Sequence, residues 1–182
     1  MDRYAGGDNG AFDDLYRAGA PRVRGFLLRL CGDGALADDL AQETFARAHR
    51  ARGVFRRSSP ALPWLYSIAR NTFVDHKRRG YTRRAISVAL PPTDGDPPEA
   101  SAPLDGQGDE VVAAKEMLDL VRATLDTLAP IQREAFVLIR FEGLSIAEAA
   151  QILGVSEAAV KVRAFRAYEA LRQALDRQQA TP

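Results

Sequence analysis

Lys161 and Arg166 bracket Val162 and Phe165 in "SEAAVKVRAFRAYEALR". At about 100° per residue, Ala158, Val162, Phe165 and Arg166 share one side of a helix, with Lys161 on its flank. Arginine and lysine bond guanine edges or phosphates, and apolar side chains touch thymine methyls. The opposite side carries Val160, Ala164, Ala167 and Leu171, a set suited to packing inward. A second cationic set lies upstream, where residues 47–84 hold 11 Arg or Lys and a single acid, Asp75. Such a block attracts polyanions at close range. His49 and His76 lie far apart among arginines, with no nucleophile or carboxylate at a supporting spacing. Asp38, Asp39 and Glu43 are the sharpest metal alternative, but no histidine or fourth ligand stands near them. The chemistry on offer is recognition of nucleic acid, not the making of bonds.

Both sets need helices to display them. Ser145-Ile146-Ala147-Glu148 has the form of a capping box. Gly154 can end that helix in a left-handed conformation, and Ser156 is placed to cap the next. This is a helix-turn-helix pattern whose second helix suits a major groove. Upstream, Phe12, Leu15 and Tyr16 recur at helical spacing, as do Val23, Phe26, Leu27 and Leu30 after Pro21. Leu36, Leu40 and Phe45 line one side of "GALADDLAQETFARAHRAR". Pro60 and Pro63 open "WLYSIARNTFVDHKRR", where Leu65, Ile68, Ala69 and Phe73 form an apolar face, and Trp64 and Tyr66 read as core. No segment shows sustained strand alternation, so the expected class is all-α.

The chain is 182 residues long, 46% apolar and 27% charged, which suits one or two globular domains. No apolar run approaches the roughly 18 residues of a membrane span, so no membrane insertion is expected. The amino-terminal stretch lacks the apolar core of a secretory signal, and the expected location is cytoplasmic. Cys31, the single cysteine, excludes an internal disulfide and reads as a small buried hydrophobe. Net charge is only +1, yet residues 47–84 sum to +10 and residues 85–116 to −6. Residues 85–110 hold five prolines and three glycines, and are expected to form a flexible acidic linker that shields the basic block. It would divide an amino-terminal helical module, 9–84, from a carboxy-terminal one, 111–177. A glycine-rich phosphate loop and a metal-ligand cluster are both missing, so neither an enzyme nor a cofactor is expected.

"ADDLAQETFARAHRA" followed by "LPWLYSIARNTFVDHKRR" resembles region two of bacterial sigma factors. "REAFVLIRFEGLSIAEAAQILGVSEAAVKVRAFRA" resembles their region four. Order and spacing are similar to those of the extracytoplasmic-function (ECF) group, which keeps only these two regions. The resemblance implies that Asp39, Gln42 and Glu43 dock on the clamp helices of the largest subunit of core RNA polymerase. It also implies a minus-ten reader, in which a base flips from the non-template strand into a pocket beside a loop. The matching positions are the loop Arg52 to Pro60, with Phe55 as the pocket residue, and Asn71. Arg52, Arg56, Arg57, Lys77, Arg78 and Arg79 would hold the single-stranded backbone.

The minus-thirty-five reader would be Ala158, Lys161, Val162, Phe165 and Arg166 on duplex promoter DNA. Val162 stands where the group often has a hydroxyl. The resemblance further implies an anti-sigma factor as partner. The competing reading is a free-standing helix-turn-helix regulator that acts without polymerase.

Overall fold

The computed structural model describes residues 10–56, 59–86 and 109–179. Arg57 and most of the linker stretch, residues 87–108, lie outside them. The described residues are helical with no strand, and the chain divides into two compact units, Met1–Pro98 and Glu99–Pro182.

The first unit holds α1 (Gly10–Cys31), α2 (Gly34–Arg50), a 3-10 turn (Arg52–Val54) and α3 (Ala61–Ile86). Pro21 lies inside α1 and does not end it; its ring is exposed, on the side away from the core. Gly32, at φ 75°, reverses the chain after α1, and the Asp33 side chain caps α2 by accepting from the Leu36 N–H at 3.0 Å. Val23, Phe26, Leu27 and Leu30 of α1 are buried, as are Leu40, Ala41, Phe45 and Ala48 of α2 and Leu65, Tyr66, Ala69 and Phe73 of α3. Each large side chain so placed contributes about 1.5–3 kcal/mol. Phe26 meets Tyr66 edge-on at 5.2 Å, and Tyr16 meets Phe45 at 4.8 Å. The buried hydroxyls of Thr44 and Thr72 donate to the carbonyls of Leu40 and Ile68. Neither therefore leaves a polar group unpaired in the core.

The second unit holds α4 (Asp109–Thr127), α5 (Pro130–Phe136), a π-helical turn (Val137–Phe141), α6 (Ile146–Leu153) and α7 (Glu157–Gln179). Leu125, Leu128, Phe136, Ala167 and Leu171 form its core, with Val121 and Ala170 packed on them. The wide turn is marked by the Glu142 N–H donating to the Val137 carbonyl at 3.1 Å, and it sets Phe141 edge-on to Phe136 at 5.9 Å.

At Gly19 the helices of the first unit pack closely. A Cβ there would lie 3.1 Å from Leu65 Cδ1 and 3.4 Å from Phe45 Cζ. Gly19→Val should therefore destabilise this unit by about 1–3 kcal/mol, despite removing a helical glycine. The fluorescence of Trp64, the only tryptophan, reports this in a denaturant titration; an unshifted midpoint would mean the helices are not held that close.

Candidate functional site

On α7 the five expected DNA-facing residues, Ala158, Lys161, Val162, Phe165 and Arg166, are all exposed, while Val160, Ala167 and Leu171 are buried. The phase of the helix is fixed locally. The Ser145 hydroxyl accepts from the Glu148 N–H at 3.2 Å, and the Glu148 carboxylate accepts from the Ser145 N–H at 2.8 Å. The Ser145 hydroxyl also donates to Glu148 Oε2 at 2.7 Å, and this bond first, then that from the Ser145 N–H, holds the Glu148 carboxyl below its ordinary range. Gly154 takes φ 65°, and the Val155 N–H returns to the Ala150 carbonyl at 3.1 Å. The Ser156 hydroxyl then accepts from the Ala159 N–H at 3.2 Å and starts α7. Val162 and Phe165 remain 50% and 63% exposed, large apolar side chains turned to water on the face between Lys161 and Arg166. Tyr168, not singled out in the sequence, is 58% exposed on the same helix.

On α2, Asp39 and Gln42 are exposed and Glu43 is half-buried. Glu43 is committed within the unit: Arg47 Nε reaches its Oε1 at 2.8 Å, and Arg50 Nη2 reaches the same oxygen at 3.3 Å. The Arg47 hydrogen bond is the main reason its carboxyl sits below the ordinary glutamate range. Asp38 pairs instead with Arg24 of α1, which holds its carboxyl low. Two of the three carboxylates weighed as metal ligands thus face different arginines. Among the described residues, no group of three or more His, Cys, Asp or Glu is placed to hold a metal.

The strand-binding candidates are spread over the loop and α3. Arg52 is half-buried, its Nη1 donating to the His49 carbonyl at 3.0 Å, and Arg56 is exposed. Phe55 is buried, edge-on to Trp64 at 5.2 Å, so its ring is a wall and not an open platform. Asn71 is exposed. Lys77 lies over the Phe73 ring, its Nζ 4.9 Å from the centroid. Arg78 Nη2 stands 3.6 Å from Asp75 Oδ1, and Arg79 Nε donates to the Asp75 backbone carbonyl at 3.3 Å.

Sequence reasoning missed the role of Asp75 and Arg47. Arg47 Nη1 donates to Asp75 Oδ2 at 2.8 Å while its Nε holds Glu43, so one guanidinium ties α2 to α3. The four-residue step from Glu43 to Arg47 was visible as a helical pair. The bond to Asp75, 28 residues on, carries no local signal. Cys31 is half-buried, its thiol donating to the Asp33 carbonyl at 3.2 Å, and burial is the main cause that pushes it above the ordinary range. That makes it a poor nucleophile at neutral pH.

Comparison with known proteins finds matches over both units. The family model for sigma-70 region 2 matches residues 15–84, and that for sigma-70 region 4 matches residues 118–171. The chain is 38% identical over 175 residues to the RNA polymerase sigma factor CarQ of Myxococcus xanthus, covering 96% of this chain and 95% of that one. It is 33% identical over 162 residues to the ECF RNA polymerase sigma factor SigL of Mycobacterium tuberculosis, covering 88% and 86%. Among solved structures it is similar to the sigma factor RpoE of Bartonella quintana, in complex with the anti-sigma factor NepR. That likeness has a TM-score of 0.71 and 28% identity over 91% of this chain and 97% of that one. These matches define a sigma-70 class transcription initiation factor with two helical regions. Within that class, the chain belongs to the ECF family of RNA polymerase sigma factors. It binds core RNA polymerase and directs promoter-specific initiation; the matches do not support a free-standing regulator.

The ion pairs of the first unit make its stability depend on pH. Arg47 is the first cause that holds both Glu43 and Asp75 below their ordinary values. The folded unit therefore binds fewer protons than the unfolded chain in acid. The contribution is complete above about pH 5 and is lost as pH falls through the folded values. The pairs are partly exposed, so the loss is modest. The thermal midpoint read from Trp64 should fall between about pH 6 and pH 3, and less steeply in Arg47→Met. Parallel curves for the two proteins would remove these pairs from the account.

Proposed function

We propose that the two units divide the work of a sigma factor as follows. Residues 9–84 bind core polymerase and read and melt the minus-ten element, residues 111–177 read the minus-thirty-five element, and residues 85–110 connect them. The observation that carries the upstream assignment is the exposed apolar face of α7, with Val162 and Phe165 half or more exposed between two cations. Lys161 and Arg166 bond guanine edges or phosphates, Ala158 permits close approach, and Val162 and Phe165 meet thymine methyls. In the first unit, Asp39 and Gln42 are the outward polar residues of α2, and Glu43 adds Oε2, since both its arginines bond Oε1. Asn71 bonds a base edge. Phe55, braced by Trp64, walls the pocket for a flipped base, and Arg52, Arg56, Arg57, Lys77, Arg78 and Arg79 hold the strand backbone.

The protein carries no bond chemistry of its own, acts in the cytoplasm and is held at the nucleoid when polymerase-bound. RpoE of Bartonella quintana was solved with an anti-sigma factor, and we take a protein of that kind to mask these surfaces here. Among the described residues no helix is long and apolar enough to cross a membrane.

Asp39→Ala combined with Gln42→Ala should abolish co-elution with core polymerase while leaving the Trp64 melt unchanged, because neither side chain enters the core. Wild-type assembly would remove α2 as the docking surface. At the upstream element, Arg166→Ala should cost about 1–3 kcal/mol of holoenzyme binding if it reads a base. Replacing thymine by deoxyuridine there deletes only the methyl. It should weaken binding several-fold in the wild type and hardly at all in Val162→Ala with Phe165→Ala. Equal losses in both proteins would mean the apolar face does not read methyls.

A further inference from the structure

Asp75 is the single acid among residues 47–84, and it sits in the middle of the face that binds the strand. Asn71 precedes it by four residues on α3, and Arg78 and Arg79 follow by three and four, so all share one side of the helix. Its carboxylate takes Arg47 Nη1 at 2.8 Å on Oδ2 and Arg78 Nη2 at 3.6 Å on Oδ1. A phosphate seeking Arg78 beside Asn71 meets a negative charge already there. Arg47 divides its donors between that carboxylate and Glu43 on the polymerase-facing helix, with both bonds at 2.8 Å. Its side chain is the least exposed of the three, at 28%.

We infer that Asp75 is a positioning residue that occupies the place of a strand phosphate in the free protein, and that Arg47 couples its strength to whatever binds Glu43. The coupling has a definite sign. A cationic group of polymerase on Glu43 weakens that residue's hold on Arg47. Arg47 then neutralises Asp75 more fully, the repulsion of the strand falls, and Arg78 turns from carboxylate to phosphate. Docking thereby strengthens strand capture, and by thermodynamic reciprocity strand capture strengthens docking. The inference rests on the proposed docking and minus-ten surfaces, but adds a link between them that neither contains. Because the groups are partly exposed, the effect must shrink with salt.

The test uses the full-length protein without polymerase and a labelled single strand carrying the minus-ten region of a promoter mapped with the holoenzyme. Asp75→Asn keeps the size of the side chain and an acceptor for Arg47 while removing the charge. Affinity should rise about three- to tenfold at low salt, as expected for one unit charge near a phosphate in a solvent-like medium. The gain should fade as salt is raised, and the ratio of polymerase-bound to free affinity should narrow by the same factor. Glu43→Gln, which leaves α3 untouched, should raise free affinity in the same direction by less. No polymerase is present in that measurement, so lost docking cannot contribute. If Asp75→Asn fails to fold, Glu43→Gln decides the matter alone. Unchanged or weaker binding by the folded variant overturns the inference when Asn71→Ala and Arg78→Ala do weaken it. If those two substitutions have no effect either, the minus-ten assignment itself has failed.

Discussion

The packing of the first unit turns on one close approach between its helices. At Gly19, α1 carries no Cβ, and the Leu65 and Phe45 side chains move into the space, 3.1 Å and 3.4 Å from where that atom would sit. Phe45 and Leu65 belong to different helices, so the missing atom lets α1 pack close to both. With Phe45 and Leu65 turned inward, Asp39 and Gln42 of α2 and Asn71 and Arg78 of α3 are exposed, and Asp75 is half-buried beside Arg47. The core that enforces this is small. Its energy per residue is ordinary, but a slip of one position would bury charge and expose Phe45 or Leu65, which no exposed ion pair could offset.

The second unit reaches the same end by a different route. Its helix α7 is phased by hydrogen bonds within a dozen residues, from the reciprocal Ser145–Glu148 pair through the left-handed Gly154 to the Ser156 cap. Local phasing of this kind is written in residue type and survives without distant partners. The two units thus differ in where their information lies: the first in tertiary contact, the second in turn chemistry.

That difference explains what was legible in the sequence. The capping box, the Gly154 stop and the inward set Val160, Ala164, Ala167 and Leu171 were readable because each depends on neighbours in the chain; the structure buries three of that set and leaves Ala164 half-buried. The all-helical class followed from periodicity in the same way. Proline gave a weaker signal: Pro21 sits inside a continuous α1 and does not end it. Phe55 was readable as an aromatic near a loop, but not as a buried ring against Trp64, since that depends on how the loop returns to α3. The π-helical turn at Val137–Phe141 has no residue signature. The Arg47 bridge joins charges 28 residues apart, and only helix packing decides which of 11 cations in that block meets its one acid.

Weakness of the separate surfaces is a consequence of this architecture and fits a protein that works on a larger enzyme. A net charge of +1 leaves little long-range pull on DNA. Arg78 and Arg79 are partly satisfied by Asp75, and the outer face of α7 carries the exposed apolar side chains Val162 and Phe165 beside its cations. Each contact alone therefore returns little free energy, while mounting both units on one polymerase turns the second contact into an intramolecular event. On the proposed division of labour, discrimination comes from requiring two modest readers at once. A promoter that satisfies one element only gains too little to compete with the excess of ordinary sequence, so the weakness of each part is what keeps the assembled complex selective.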